Sequence, residues 1–191
     1  MSEDKCIIKL HEPDIDEKLF FFICGAIISI PLTLFIAQFA NWFLSSLGMF
    51  YSTVLASVVF APIIEEFSKI FPLFYRHGET ERSIFDLALF VGFGFGIVEM
   101  AAYVFLQGVN PIVRVPGLLF HPASTSIAAY GIATKRPMPF YLAAVGLHAS
   151  NNLLALPAFS FLNFSLSGLI VAITATTSLL LRKRTHMRFI E

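Results

Sequence analysis

The chain has 191 residues, of which 57% are hydrophobic and 14% charged, and its formal net charge is zero. This composition, with 22 phenylalanines, excludes a soluble globular domain and indicates an all-α, polytopic transmembrane helical bundle with room for about six spans. The chain is predicted to be embedded in a lipid bilayer, and no nucleic-acid partner is expected.

Six apolar runs follow one another along the chain and predict one helix each. A polar, acidic segment at residues 1–18 precedes them, and residues 183–191 form a basic tail after them. The residues between, 19–182, are expected to form a single transmembrane domain, with Pro31 and Pro62 bending the first two helices. The predicted spans cover residues 19–39, 43–75, 85–106, 112–133, 140–156 and 161–181.

The basic residues are distributed unevenly between the two sides of such a bundle. With six spans, both tails and the loops at 76–83 and 135–138 lie on one side. When Arg182 is counted with the second tail, all but two of the 13 Lys and Arg residues fall in these segments, the exceptions being Lys69 and Arg114. Because positive charge is retained in the cytoplasm, we expect both termini to be cytoplasmic.

Ionisable and amide side chains interrupt four of the apolar runs, where each is costly to place in lipid. Counted from the nearest cytoplasmic charge at ~1.5 Å per residue, they all lie ~16–25 Å deep. Groups at one depth on four helices predict a shared interior site, because lipid cannot satisfy them. The candidates are Glu65, Glu66, Glu99, His121, His148 and Asn152.

Two local patterns refine this picture. Glu65 and Lys69 are four residues apart and share a helix face, whereas Glu66 reaches Lys69 only at a spacing of three. We therefore expect Lys69 to neutralise Glu65 in part. In the third run, three glycines within five residues (92–96) resemble a dinucleotide loop, but they lie inside an apolar helix and so predict close helix packing.

Carboxylates and imidazoles in a secluded site suit two hydrolytic mechanisms. In one, a glutamate accepts a proton from water and histidine stabilises the oxyanion. In the other, a metal activates the water, and its ligands would come from Glu65, Glu99, His121 and His148. Ligand chemistry favours the mechanism without a cofactor, because asparagine is a poor zinc ligand and Lys69 would repel a cation. Zinc remains the alternative cofactor.

Three ordered motifs resemble those of PrsW-type intramembrane proteases, a branch of the clan of CAAX-prenyl proteases and bacteriocin-processing enzymes. They are Glu65-Glu66-x-x-Lys69, Phe95-x-x-x-Glu99 and His148-x-x-x-Asn152. A histidine between the second and third motifs, here His121, is also similar to the family.

The resemblance implies a role for each catalytic candidate. Glu65 would be the general base that activates water, supported by Glu66, and Glu99 would be a second catalytic or water-orienting carboxylate. His148 and Asn152 would polarise the scissile carbonyl and stabilise the oxyanion, with His121 in support.

The resemblance also implies a membrane-anchored protein substrate, such as an anti-sigma factor, and a multi-pass protein in the plasma membrane of a prokaryote. Two other classes of function stay open at this stage. A transporter or channel subunit could relay protons or bind a cation with the same Glu and His cluster. A non-catalytic membrane scaffold would tolerate loss of these side chains. The sequence leaves the oligomeric state undetermined.

Overall fold

The computed structural model describes residues 12–75, 80–156 and 163–187. These residues form six helices and contain no strand, which confirms the predicted all-α bundle. Most of the segment 1–18, part of the loop after the second helix, the start of the predicted sixth span and the last four residues lie outside the described ranges. The helices are α1, Ile15–Leu44; α2, residues 49–75; α3, Glu81–Gln107; α4, Pro111–Ala133; α5, Pro137–Ala155; and α6, Asn163–Arg184.

Three described helices are long and apolar enough to cross a membrane: Ile15–Leu44, Glu81–Gln107 and Leu166–Arg184. The first begins four residues earlier than the expected span, because Asp14 caps it by accepting a hydrogen bond from the Glu17 amide at 2.8 Å. The count of six spans and the cytoplasmic termini stay predictions.

Two prolines alter the helices that contain them. A stretch of π-helix at Gly25–Ser29 lies just before Pro31, and another at Leu55–Phe60 lies just before Pro62. Proline has no N–H group and cannot donate to the carbonyl one turn before it, so the preceding turn widens. Bends were predicted at these two prolines, and each coincides with such a turn.

The glycines of α3 let three helices touch through their backbones. A Cβ at Gly94 would collide with the Phe22 carbonyl of α1, and a Cβ at Gly92 would collide with the His121 carbonyl of α4. The prediction of close packing at these glycines is confirmed. Helix α3 is thereby fixed between α1 and α4, which sets the height of His121 relative to the third helix.

One end of the bundle gathers several of the chain segments expected on the cytoplasmic side. A buried apolar cluster joins the start of α1, the end of α2, the start of α3 and the end of α4 through Phe21, Leu73, Ile84 and Ala133. The end of α6 reaches the same place, since Arg182 donates two hydrogen bonds to Asp86 at 2.7 and 3.1 Å. These segments therefore share one end of the molecule, as the six-helix arrangement requires.

Candidate active site

The inward face of α2 carries a buried ion pair. Pro62, Glu66, Lys69 and Leu73 recur at helical spacing and are all buried. The Lys69 ammonium donates to Glu66 Oε1 at 2.5 Å, and both side chains are fully buried. The direct hydrogen-bond partner of Lys69 is therefore Glu66, its neighbour at a spacing of three, rather than Glu65. Glu65 lies at the edge of the buried face and keeps 14% of its side chain exposed, whereas Glu66 lies at its centre.

Glu66 fixes the orientation of His148 on α5. Its Oε1 atom accepts hydrogen bonds from Lys69, from the Ser124 hydroxyl at 3.1 Å and from His148 Nδ1 at 2.8 Å. Because a carboxylate only accepts, His148 carries a proton on Nδ1, and in the neutral imidazole its Nε2 presents a lone pair. That Nε2 lies 3.6 Å from Glu65 Oε2.

His121 on α4 is held in the opposite tautomer. The Lys69 ammonium, which can only donate, lies 3.3 Å from His121 Nδ1. His121 Nε2 therefore carries the proton and donates to Glu99 Oε2 at 2.8 Å. Gly96 makes room for this ring, since a Cβ there would lie 3.2 Å from His121 Cδ2.

Arg114 and Ser124 join the site although the motifs did not single them out. Arg114 donates to Glu99 Oε2 at 2.8 Å and stacks on the Tyr103 ring, with its guanidinium carbon 3.8 Å from the ring centre. The sequence did hold a signal for Arg114. It is the one basic residue assigned to the non-cytoplasmic side, and it precedes His121 by seven residues, which places both on one face of a helix.

Asn152 on α5 donates the hydrogen bond that one backbone carbonyl of α2 lacks. In the π-helical register the Ser57 carbonyl would accept from residue 62, which is a proline without an N–H group. Asn152 Nδ2 donates to this carbonyl at 2.9 Å instead. One of its two amide hydrogens is used in this bond, and the side chain also lines the cavity beside the histidines.

A cavity of about 390 Å³ opens next to these side chains, between α4, α5 and α6. Glu99, Arg114, His121, His148 and Asn152 all contribute to its wall. The predicted candidates are thus brought together: hydrogen bonds or ion pairs link Glu66, His148, His121 and Glu99, and Glu65 adjoins His148.

The donor set fits a resident metal only in part. His148 Nε2 and Glu65 Oε2 are suitable donors, and the bond from His148 Nδ1 to Glu66 is the outer hydrogen bond typical of a metal-bound histidine. His121 is not available, because Lys69 occupies the side of one ring nitrogen and Glu99 binds the other. In the described part of the chain, no three His, Cys, Asp or Glu residues are grouped to hold a metal. A protein-bound catalytic zinc needs three such ligands, so these residues do not complete the site.

Comparison with known protein families identifies the chain at this point. The family described as PrsW family intramembrane metalloprotease matches residues 16–179, which includes all the site residues. The chain belongs to the PrsW family. Comparisons with curated proteins and with solved structures gave no match.

Membership of the PrsW family confirms the resemblance drawn from the three motifs. It indicates an integral membrane peptidase whose substrate is a protein in the membrane. The family therefore favours the peptidase over the transporter and the scaffold. Its description as a metalloprotease makes a metal possible, although the described part of the chain holds no group of three His, Cys, Asp or Glu residues that could bind one.

Proposed function

We propose that this PrsW-family protein hydrolyses a peptide bond of a membrane-anchored substrate with a water molecule activated by Glu65. The observation that carries this proposal is the position of Glu65 Oε2. It is buried, has no hydrogen-bond partner among the described residues, and lies 3.6 Å from the Nε2 lone pair of His148. A buried acceptor without a partner costs free energy, so such an arrangement is expected to serve a ligand.

A water bound here would donate one hydrogen bond to Glu65 and one to His148 Nε2. These two acceptors would direct its oxygen lone pair toward the scissile carbonyl carbon. As the C–O bond forms, Glu65 takes the proton. It then delivers that proton to the leaving nitrogen as the C–N bond breaks. One carboxylate can therefore act first as base and then as acid.

The negative charge that develops on the carbonyl oxygen needs a donor. Asn152 Nδ2 retains one hydrogen beyond the bond to Ser57, and it lines the cavity beside His148. We assign Asn152 to the oxyanion, where one such donor contributes about 10²–10³-fold to the rate.

The second histidine and carboxylate have a supporting role in this proposal. Glu99 Oε2 accepts from both His121 and Arg114, so this oxygen is already occupied. We infer that Glu99 acts through His121, keeping that ring and Lys69 in place, and that Glu66 does the same for His148.

The natural substrate is proposed to be a single-span protein of the anti-sigma-factor type, cut in the plasma membrane of a prokaryote. This follows from the family resemblance. The depth of the site supports it, because a cluster near mid-membrane is accessible to a peptide bond that itself lies in the bilayer.

The test is cleavage of a panel of single-span proteins by the purified protein in proteoliposomes, with the cut site read by mass spectrometry. Wild type should cut at least one substrate within its span, and Glu65→Gln should cut none. Asp16→Asn, an exposed carboxylate at the start of α1, is the matched control and should behave as wild type. Equal cleavage by Glu65→Gln and wild type would disprove the assignment of the base.

A further inference from the structure

The cavity extends well beyond the histidines. Along α5 its wall runs from His148 through Asn151 and Asn152 to Ala155. At ~1.5 Å per residue this is about 10 Å of helix. The volume of about 390 Å³ lies within the ~300–1,000 Å³ range of ligand pockets. The space is thus larger than one water molecule requires.

The wall opposite α5 is largely apolar and comes from α4 and α6. Neither of these two helices carries one of the three sequence motifs. The apolar lining residues on these two helices are Val113, Pro116, Phe120 and Val171. A peptide side chain bound against them would be apolar, because a charged or strongly polar group would lose its hydration there.

Two glycines, Gly117 on α4 and Gly168 on α6, also line the cavity. They differ from Gly92 and Gly94, where a Cβ would collide with a neighbouring backbone. A Cβ at Gly168 would meet no atom within 4 Å, and at Gly117 the nearest atoms, on His121, lie 3.8 Å away. Helix packing therefore does not require glycine at either position, although glycine inside a helix is less stable than alanine. What glycine does here is leave the cavity open.

We propose that this cavity is a subsite for a large apolar side chain next to the scissile bond, and that Gly168 and Gly117 determine the size of side chain it accepts. This inference rests on the proposed function, because the subsite adjoins the proposed catalytic residues. It adds a specificity that the catalytic motifs do not contain.

The experiment compares Gly168→Leu with Gly146→Leu on substrates that carry Ala, Leu or Phe beside the cut bond. Gly146 is the matched control: it lies in α5, has nothing within 4 Å of its Cβ position, and does not line the cavity. Wild type and Gly146→Leu should both prefer Leu and Phe. Gly168→Leu should lose about tenfold or more on the Leu and Phe substrates relative to Ala, the scale of discrimination expected for a filled apolar pocket.

Gly168→Ala is included in case Gly168→Leu misfolds. Its Cβ would contact no other atom, and alanine favours the helix. It should retain the wild-type melting temperature and shift the Phe/Ala preference in the same direction as leucine, but less. An unchanged preference in Gly168→Ala and Gly168→Leu, or an equal loss on all three substrates, would overturn the subsite. Failure of the catalytic proposal would appear separately, as retained cleavage by Glu65→Gln.

Discussion

The polar site has two halves that differ in how far their side chains are exposed. In the closed half Glu66, Lys69 and Ser124 are all fully buried and bonded to one another. In the open half the side chains of Glu65 and Glu99 remain 14% and 18% exposed. The two halves meet at the histidines, each of which has one ring nitrogen bound to the closed half.

This difference separates two tasks that the motif Glu65-Glu66-x-x-Lys69 places side by side. The closed half sets which nitrogen of each histidine carries the proton. In the open half, His121 Nε2 donates to Glu99, and His148 Nε2 lies 3.6 Å from the partnerless Glu65 oxygen. Substitutions in the closed half should therefore change stability and activity together, and substitutions in the open half should change activity alone.

The largest expected effect on activity is that of Glu65→Gln. Loss of a general base lowers the rate by about 10²–10⁴-fold. Because Glu65 Oε2 makes no hydrogen bond within the described residues, the Glu65→Gln variant should have the same melting temperature as wild type. Cleavage kinetics test the predicted loss of activity, and thermal unfolding of the same preparations tests the unchanged melting temperature. A fall in melting temperature comparable to that of a closed-half variant would break the comparison.

Glu66→Gln should lower both the stability and the activity of the protein. It leaves Lys69 as a buried cation without its carboxylate, which costs about 3–5 kcal/mol of stability. Activity should fall as well, because an amide can turn either its oxygen or its NH2 group toward His148 and so no longer fixes which ring nitrogen carries the proton. Chemical unfolding in detergent measures the first effect and cleavage the second.

The double variant Glu66→Leu/Lys69→Met sharpens this prediction. Replacing both partners removes the unpaired charge, so most of the stability should return. Activity should not return, since the histidine partner is still missing. Recovery of both would show that the closed half does not orient His148.

These assignments show what the sequence could and could not predict. The helices and the common depth of the site follow from apolar run lengths and the spacing of charges. The identity of the side chain that pairs with Lys69 cannot be predicted in this way. It depends on how α2 is rotated about its axis, and α4 and α5 set that rotation by supplying Ser124 and His148. The bond between Arg114 and Glu99 likewise joins two helices, so the spacing of Arg114 from His121 indicates a shared face but does not predict this partner.

Asn152→Ala should have the next largest effect on activity. It should lower kcat by about 10²–10³-fold if the amide binds the oxyanion. It also leaves the Ser57 carbonyl without its donor, at a cost of about 1–3 kcal/mol. Adding Pro62→Ala supplies a backbone N–H and should recover stability without recovering activity. A double-mutant cycle in unfolding measures the coupling. Independent, additive effects of the two substitutions would refute the link between them.

Arg114→Gln is expected to have a smaller effect. A hydrogen bond to a charged group contributes about 1.5–3 kcal/mol, so losing that amount from the transition state should lower kcat by about 10- to 150-fold. Arg114→Lys keeps the charge but loses the planar contact with Tyr103, and it should lie between wild type and the glutamine variant. A glutamine variant as active as wild type would show that Glu99 needs no second donor.

Metal removal should have the smallest effect. The described side chains offer two suitable donors, one fewer than a catalytic zinc requires. Exhaustive chelation followed by dialysis should therefore leave cleavage unchanged, with metal content checked by mass spectrometry. Loss of activity that stoichiometric zinc restores would show that the open half rearranges to bind a metal.

The bond between Asn152 and Ser57 has a consequence for how the protein is made. Its two partners are 95 residues apart in the chain, and at 5–20 residues synthesised per second the acceptor waits roughly 5–20 s for its donor. During that time the Ser57 carbonyl of α2 lacks its Asn152 donor, and His148 has not yet been added. In the proposed mechanism, which needs His148, the nascent chain therefore gains activity only after α5 has been synthesised.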